Sequence, residues 1–233
     1  MKNVLITGSE GQLGSTILEL FKATGEYKIY PVDKLKTKKD TIELDITCET
    51  SVIDFFKSYR IDILINNAGK AVFTEMLNRS KTDFFDIVNV NLWGTFLMTR
   101  EFINSSIKED QSMPKKIINI ASIYGQISSD NRIYGNSGRN NSEIYSITKA
   151  GVIGLTKYCA ANYSKHNISF NSISPGGIFN NQSSDFVKNY SNKVPLARMA
   201  KVEEIAEIVL LCAKANQYLN GEDIRVDGGM LIW

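Results

Sequence analysis

Short runs of β-branched and apolar residues alternate along the chain with stretches whose apolar positions recur every three to four residues. Asn3–Thr7 (NVLIT) reads as a buried strand, and Leu13, Ile17, Leu20 and Phe21 then recur at helical spacing until Gly25 stops the helix. Tyr27–Val32 is the second strand, ending in Asp33, and Thr41–Leu44 the third, running into Asp45-Ile46. A helix over Ser51–Tyr59 puts Val52, Phe55, Phe56 and Tyr59 on one side, and Asp62–Ile65 is the fourth strand, followed by Asn66-Asn67-Ala68-Gly69. A long helix, with room for a break, is expected from Lys81 to about Lys108, Lys115–Ala121 is the fifth strand, and Ile168–Ile173 the sixth. A helix over Glu203–Ala213 and a strand over Asp223–Val226 complete the alternation. Between them, Ile127–Glu143 and the stretch through Asn192 are polar and aperiodic, expected to be a surface loop and a mobile segment. Strand and helix in alternation suit an α/β domain whose strands are buried in a parallel sheet.

Three places on this frame carry chemistry. Gly8-Ser9-Glu10-Gly11-Gln12-Leu13-Gly14 joins the first strand to the first helix. Glycines there let a backbone approach a pyrophosphate, and the helix N-terminus offers it unpaired N–H groups. Asp33, at the end of the second strand, suits the hydroxyls of an adenosine ribose and would repel a phosphate placed there, although Lys34, Lys36, Lys38 and Lys39 lie close by. NAD is therefore expected ahead of NADP. Tyr145 and Lys149 lie four residues apart on a helix entered from Asn141-Ser142 and running to about Lys165, so they share a face. Activating a phenol at neutral pH requires ~4 kcal/mol. A positive charge ~4 Å away at an effective dielectric of ~20 is worth about that much. Ser122, delivered by the end of the fifth strand, lies where ligands of open α/β sheets bind.

Composition narrows the choice. A length of 233 residues, 43% hydrophobic and 22% charged, suits one α/β domain over residues 1–233 with the insertion 127–143. A net charge of +2 suggests neither nucleic acid nor a membrane surface as partner. Cys48, Cys159 and Cys212 are odd in number and widely spaced, as expected of reduced thiols in a cytoplasmic protein without a zinc site. No signal region or apolar span of ~18 residues is expected. His166 is the sole histidine, which leaves no Ser-His-Asp triad and no His-rich metal site.

Thr7-Gly8 with its glycine turn, Asp33, Asp45, Asn66-Asn67-Ala68-Gly69, Asn91, Ser122, Tyr145/Lys149, Pro175-Gly176 and Asp227-Gly228-Gly229 stand together in one order. In this the chain resembles the short-chain dehydrogenase/reductase family in its compact single-domain form. The resemblance implies a Rossmann-type doubly wound sheet of about seven parallel strands and a homodimer or homotetramer. It implies cofactor contacts from Gly8, Gln12, Leu13, Asp33, Asp45, Ile46, Asn67, Ala68, Gly69, Tyr145, Lys149, Pro175, Gly176 and Ile178. It casts Tyr145 as acid/base, Ser122 as the group orienting the reacting oxygen, Lys149 as lowering the phenol pKa and holding the nicotinamide ribose, and Asn91 as holding a relay water. Three features depart from the family pattern: the Gly8-x-x-Gly11-x-x-Gly14 spacing, Asn180 in place of a threonine after Pro-Gly, and the long polar insertion. With Arg132, Tyr134, Asn136, Arg139 and Asn140, the insertion suits a hydroxylated or anionic substrate, and Arg132 and Arg139 are expected to bind it. The insertion and the segment 174–182 are similar to oxidoreductases of bacterial surface-glycan or flagellin-sugar synthesis. The expected activity is NAD(H)-linked hydride transfer on a secondary alcohol or ketone, on a sugar or nucleotide sugar. The alternatives are a cofactor-retaining epimerase or dehydratase and a non-catalytic dinucleotide sensor.

Overall fold

The computed structural model describes residues 1–109 and 111–232. Seven parallel strands form one sheet in the order β3-β2-β1-β4-β5-β6-β7. They are β1 (Lys2–Thr7), β2 (Tyr27–Asp33), β3 (Ile42–Glu43), β4 (Ile63–Asn66), β5 (Lys115–Ile120), β6 (Ile168–Pro175) and β7 (Asp223–Val226). The helices are α1 (Gln12–Thr24), α2 (Glu49–Ser58), α3 (Lys81–Val88), α4 (Thr95–Ile107), α5 (Glu143–Tyr163), α6 (Ser184–Ser191) and α7 (Val202–Lys214).

Period-two alternation in the strands feeds two cores. Val4, Ile6, Ile63, Ile65 and Ile118 turn to one face, against Ile17 and Phe21 of α1 and Val209 of α7. Leu5, Leu64, Ile117 and Phe170 turn to the other, against Phe55 of α2, Phe102 of α4 and Cys159 of α5. The sheet is thus doubly wound, as the sequence implies. Among the described residues no helix is long and apolar enough to cross a membrane.

Several expectations are sharpened or changed. The strand expected over 41–44 pairs only through Ile42 and Glu43. The break for which the helix expected from Lys81 left room is a π-helical segment, Asn89–Gly94, between α3 and α4. The stretch expected to be mobile through Asn192 contains α6, capped by Ser183, whose hydroxyl accepts from Phe186 N. Its Tyr190 joins Ile133, Val194 and Met199 in a small buried cluster. Ile133 belongs to the insertion, which is therefore not wholly polar: a 3₁₀ turn at Asn131–Tyr134 packs beneath α6. On α5, Val152 and Leu155 serve the core, whereas Phe85, Phe96, Ile147 and Tyr158 remain exposed.

Candidate active site

The carboxyl ends of β1, β4, β5 and β6 border two adjoining cavities that share Leu13, Asn67 and Gly69. The first, about 610 Å³, is lined by Gly8, Gln12, Leu13, Asp33, Asp45, Ile46, Asn67, Ala68 and Gly69. The second, about 390 Å³, is lined by Ser122, Tyr145, Lys149, Pro175, Gly176 and Ile178. Every residue expected to contact the cofactor borders one or both.

The glycine turn is built for close approach. A Cβ at Gly14 would lie 2.1 Å from the Gly8 carbonyl oxygen, so this turn of α1 can pack there only as glycine. Asn67 Nδ2 donates to the Thr7 and Gly8 carbonyls (3.0 and 3.1 Å), tying the turn to the end of β4. Helix α1 is entered from Gly11 with no side-chain cap and has no acidic residue in its first turn, leaving its N-terminal N–H groups for an anion. These features fit a dinucleotide pyrophosphate. At the far end, Asp33 accepts from Glu10 N (3.0 Å) and Leu35 N (3.3 Å), which leaves lone pairs for ribose hydroxyls. Glu10 folds over Thr37 and Thr41, whose hydroxyls hold its carboxyl down to about 2. Lys34 is paired with Asp45 at 2.8 Å.

The second cavity gathers the chemistry. Ser122 Oγ accepts from Tyr124 N (3.2 Å), and its own proton is turned towards the Tyr145 phenol oxygen. A 3₁₀ turn, Ile123–Gly125, carries the chain past α5, and a Cβ at Gly125 would lie 2.7 Å from the Lys149 carbonyl carbon. This contact presses the end of β5 against the helix bearing Tyr145. Lys149 is 5% exposed, its Nζ donating to the Ile120 carbonyl at 2.7 Å and lying 5.6 Å from the centre of the Tyr145 ring. Burial lowers its ammonium to about 8. Burial also raises the Tyr145 phenol, and the Ser122 hydroxyl pulls it the other way. Desolvation acts on both groups, because the helix face they share is pressed into the protein.

Asn91 sits in the π-helical segment, a common device at functional sites. Its Oδ1 accepts from Lys70 N (2.7 Å), and its Nδ2 donates to Lys70 O (2.9 Å) and Thr148 Oγ1 (3.1 Å). Where the resemblance gave it a relay water, the bonds observed tether the segment after Gly69 to α5. Asn66, beside Asn67, turns into the sheet and donates to Asn119 Oδ1 (2.9 Å).

Neither loop arginine borders the cavity. Arg132 is 86% exposed and held by Asp130 at 2.8 Å, while Arg139 stacks 4.2 Å from the centre of the Phe73 ring. The walls come instead from Phe73, Tyr124, Tyr134, Phe186 and Tyr190. Sequence reasoning passed over most of these. Phe186 and Tyr190, four residues apart behind Ser183, were the available signal for α6.

A family model described as Enoyl-(Acyl carrier protein) reductase matches residues 22–231. The 3-oxoacyl-[acyl-carrier-protein] reductase FabG of Aquifex aeolicus is 33% identical over 97% of this chain and 86% of its own length. The chain is a short-chain dehydrogenase/reductase. Among solved structures, a short chain dehydrogenase from Leptospira borgpetersenii with bound NAD+ is 36% identical, with a TM-score of 0.91 over 98% of this chain and 92% of that one. The aldohexose dehydrogenase of Thermoplasma acidophilum is 26% identical, with a TM-score of 0.84 over 100% of this chain and 94% of that one. As a member of this family the chain is an oxidoreductase, and neighbouring structures carry NAD+ in one case and NADP in another.

Proposed function

We propose that this short-chain dehydrogenase/reductase moves a hydride between NAD(H) and a secondary alcohol or ketone of a sugar, free or carried by a nucleotide. The observation that carries the reading is the wall of the cavity over Ser122 and Tyr145. It offers phenols and amides, whereas the insertion's arginines are engaged elsewhere. Neutral donors and acceptors over aromatic faces suit a hydroxylated ring better than a bare anion. The cavity stands near the lower end of the roughly 300–1,000 Å³ usual for small-molecule sites, and the nicotinamide ring must share it. That favours one sugar ring over a long chain, and the resemblance of Thermoplasma aldohexose dehydrogenase points the same way.

The bound dinucleotide supplies the hydride donor or acceptor. Tyr145 exchanges the proton on the reacting oxygen, and the hydroxyl proton of Ser122, turned from the phenol to that oxygen, stabilises charge there. A phenol raised by burial is held protonated at neutral pH, ready to act as the acid in carbonyl reduction. Lys149 holds the ribose and, when charged, favours the phenolate needed for oxidation. NAD over NADP is supported by the carboxylates of Asp33 and Glu10 at the adenosine end, and by the pairing of Lys34 with Asp45.

A second reading is reduction of a 3-oxoacyl thioester, favoured by the relationship to FabG of Aquifex aeolicus. One assay separates the two. The purified chain, with NAD+ or NADH, is offered aldohexoses, nucleotide hexoses and 3-oxobutanoyl thioesters, with absorbance at the NADH band and product mass recorded. Turnover confined to sugars supports the proposal, and turnover confined to thioesters overturns it.

A further inference from the structure

Three amide side chains border the cavity over Ser122 and Tyr145: Asn67, Gln182 and Asn141. Two are spent inside the protein. Asn67 holds the glycine turn, and Gln182 Nε2 donates to Ile178 O (2.9 Å) while its Oε1 accepts from Asn180 N (2.7 Å). Asn141 differs. The residue is 8% exposed, and its buried Nδ2 has no hydrogen-bond partner among the described residues. It does not cap α5 either, because the next residue, Ser142, does so by accepting from Tyr145 N.

The backbone around it is well held. Asn140 N donates to Phe73 O (3.1 Å), and Asn141 O accepts from Ser129 Oγ (3.5 Å). A buried donor left unpaired is costly, and an apolar side chain of similar size would avoid that cost. The side chain therefore does nothing for the fold that leucine would not do. It stands four residues before Tyr145, on the wall of the reacting cavity.

We infer that Asn141 is a specificity-determining residue whose amide hydrogen-bonds a second hydroxyl of the substrate, one not being oxidised or formed. The inference rests on the sugar reading above and extends it. A hydroxyl can pair with either end of the amide, accepting from Nδ2 or donating to Oδ1. The surroundings agree with a neutral partner. Tyr134, on the same wall, is raised to about 12 by burial and stays uncharged, and the ammonium of Lys70 is taken by Asp86. Asn141 and Tyr124 also border an open groove of about 730 Å³, so the hydroxyl can belong to a part of the substrate leaving in that direction.

The test pairs Asn141→Leu with sugars lacking one hydroxyl. Unliganded wild-type and variant proteins are melted, NADH affinity is titrated by fluorescence, and kcat/KM is measured with D-glucose, UDP-glucose, GDP-mannose and their monodeoxy analogues. The variant is expected to melt at or above the wild-type temperature, to bind NADH within twofold, and to lose at least tenfold in kcat/KM on the sugar turned over. One deoxy analogue should cost wild type the same factor and cost the variant nothing further, since the two changes remove one interaction. A variant that melts several degrees lower would make Asn141 structural and overturn the inference. So would deoxy losses that add fully to the loss in the variant. Failure of the sugar reading appears separately, in wild type, as turnover of the thioester alone. That result removes the hydroxyl partner and overturns the inference with it.

Discussion

Replacing Lys149 by methionine should make the unliganded protein more stable while disabling it. The lysine is 5% exposed, with its charge answered by the Ile120 carbonyl and, more weakly, by the Tyr145 ring. Burial lowers its pKa from 10.5 to about 8. At about 1.4 kcal/mol for each pH unit, that fall costs the folded state roughly 3 kcal/mol at pH 7. Methionine keeps the length and apolar stem without the charge. The carbonyl it leaves unpaired costs about 1 kcal/mol, for a net gain of about 2 kcal/mol. The sign of the pH dependence follows from the depressed pKa. Between pH 8 and 10.5 the folded wild type releases a proton that the unfolded chain still holds, so wild type gains stability as pH rises and the variant does not. The advantage of the variant should therefore shrink towards zero near pH 9.5. Urea unfolding of both proteins at pH 7.0 and 9.5 measures this directly. A variant less stable at pH 7.0, or an advantage that does not change with pH, would show that Lys149 is not a buried charge retained at a cost to the fold.

Asp33→Asn should narrow the preference for NADH over NADPH by at least tenfold, through loss of ribose hydrogen bonds and of repulsion; fluorescence titrations that leave the ratio unchanged would refute this. Arg132→Ala should leave kcat/KM within twofold, because its guanidinium is spent on Asp130 in solvent. Arg139→Ala should lose a few-fold, about 0.5–1 kcal/mol, by freeing the Phe73 ring on the cavity wall. A tenfold rise in KM for either would restore the anion clamp. The exposed Phe85, Phe96, Ile147 and Tyr158 should be covered between subunits, so light scattering at micromolar concentration should give at least twice the chain mass of 26.1 kDa; a monomeric mass counts against it.

The sheet and the reacting pair were legible because their signals are local. Apolar alternation in β1 and β4, glycines between β1 and α1, and the four-residue spacing of Tyr145 and Lys149 are properties of short stretches. What was hidden depends on partners remote in sequence. The amide of Asn91 finds Lys70 and Thr148, and the helix carrying it opens into a π segment there. Ile133 is buried because Tyr190 lies over it, which turns an apparently polar insertion into a packed wall. Arg79 is another such case: only the fold brings it to Glu143 (2.9 Å), tying the segment with Phe73 to the start of α5. The inward or outward sense of Arg132 was nearer to hand, since Asp130 stands two residues away. The balance of effects on the Tyr145 phenol was not, because burial is a property of the whole site.

The central claim is that Tyr145 carries the proton of a nicotinamide-linked reaction. Tyr145→Phe removes one oxygen from a cavity wall and nothing from the dinucleotide's first cavity. Its kcat, followed at the NADH absorbance band on the substrate that wild type turns over best, should fall by at least ~10²-fold, the scale of a positioned acid/base. NADH affinity, titrated on the same preparation, should stay within about threefold. A variant that binds NADH and turns over within a few-fold of wild type would contradict the account.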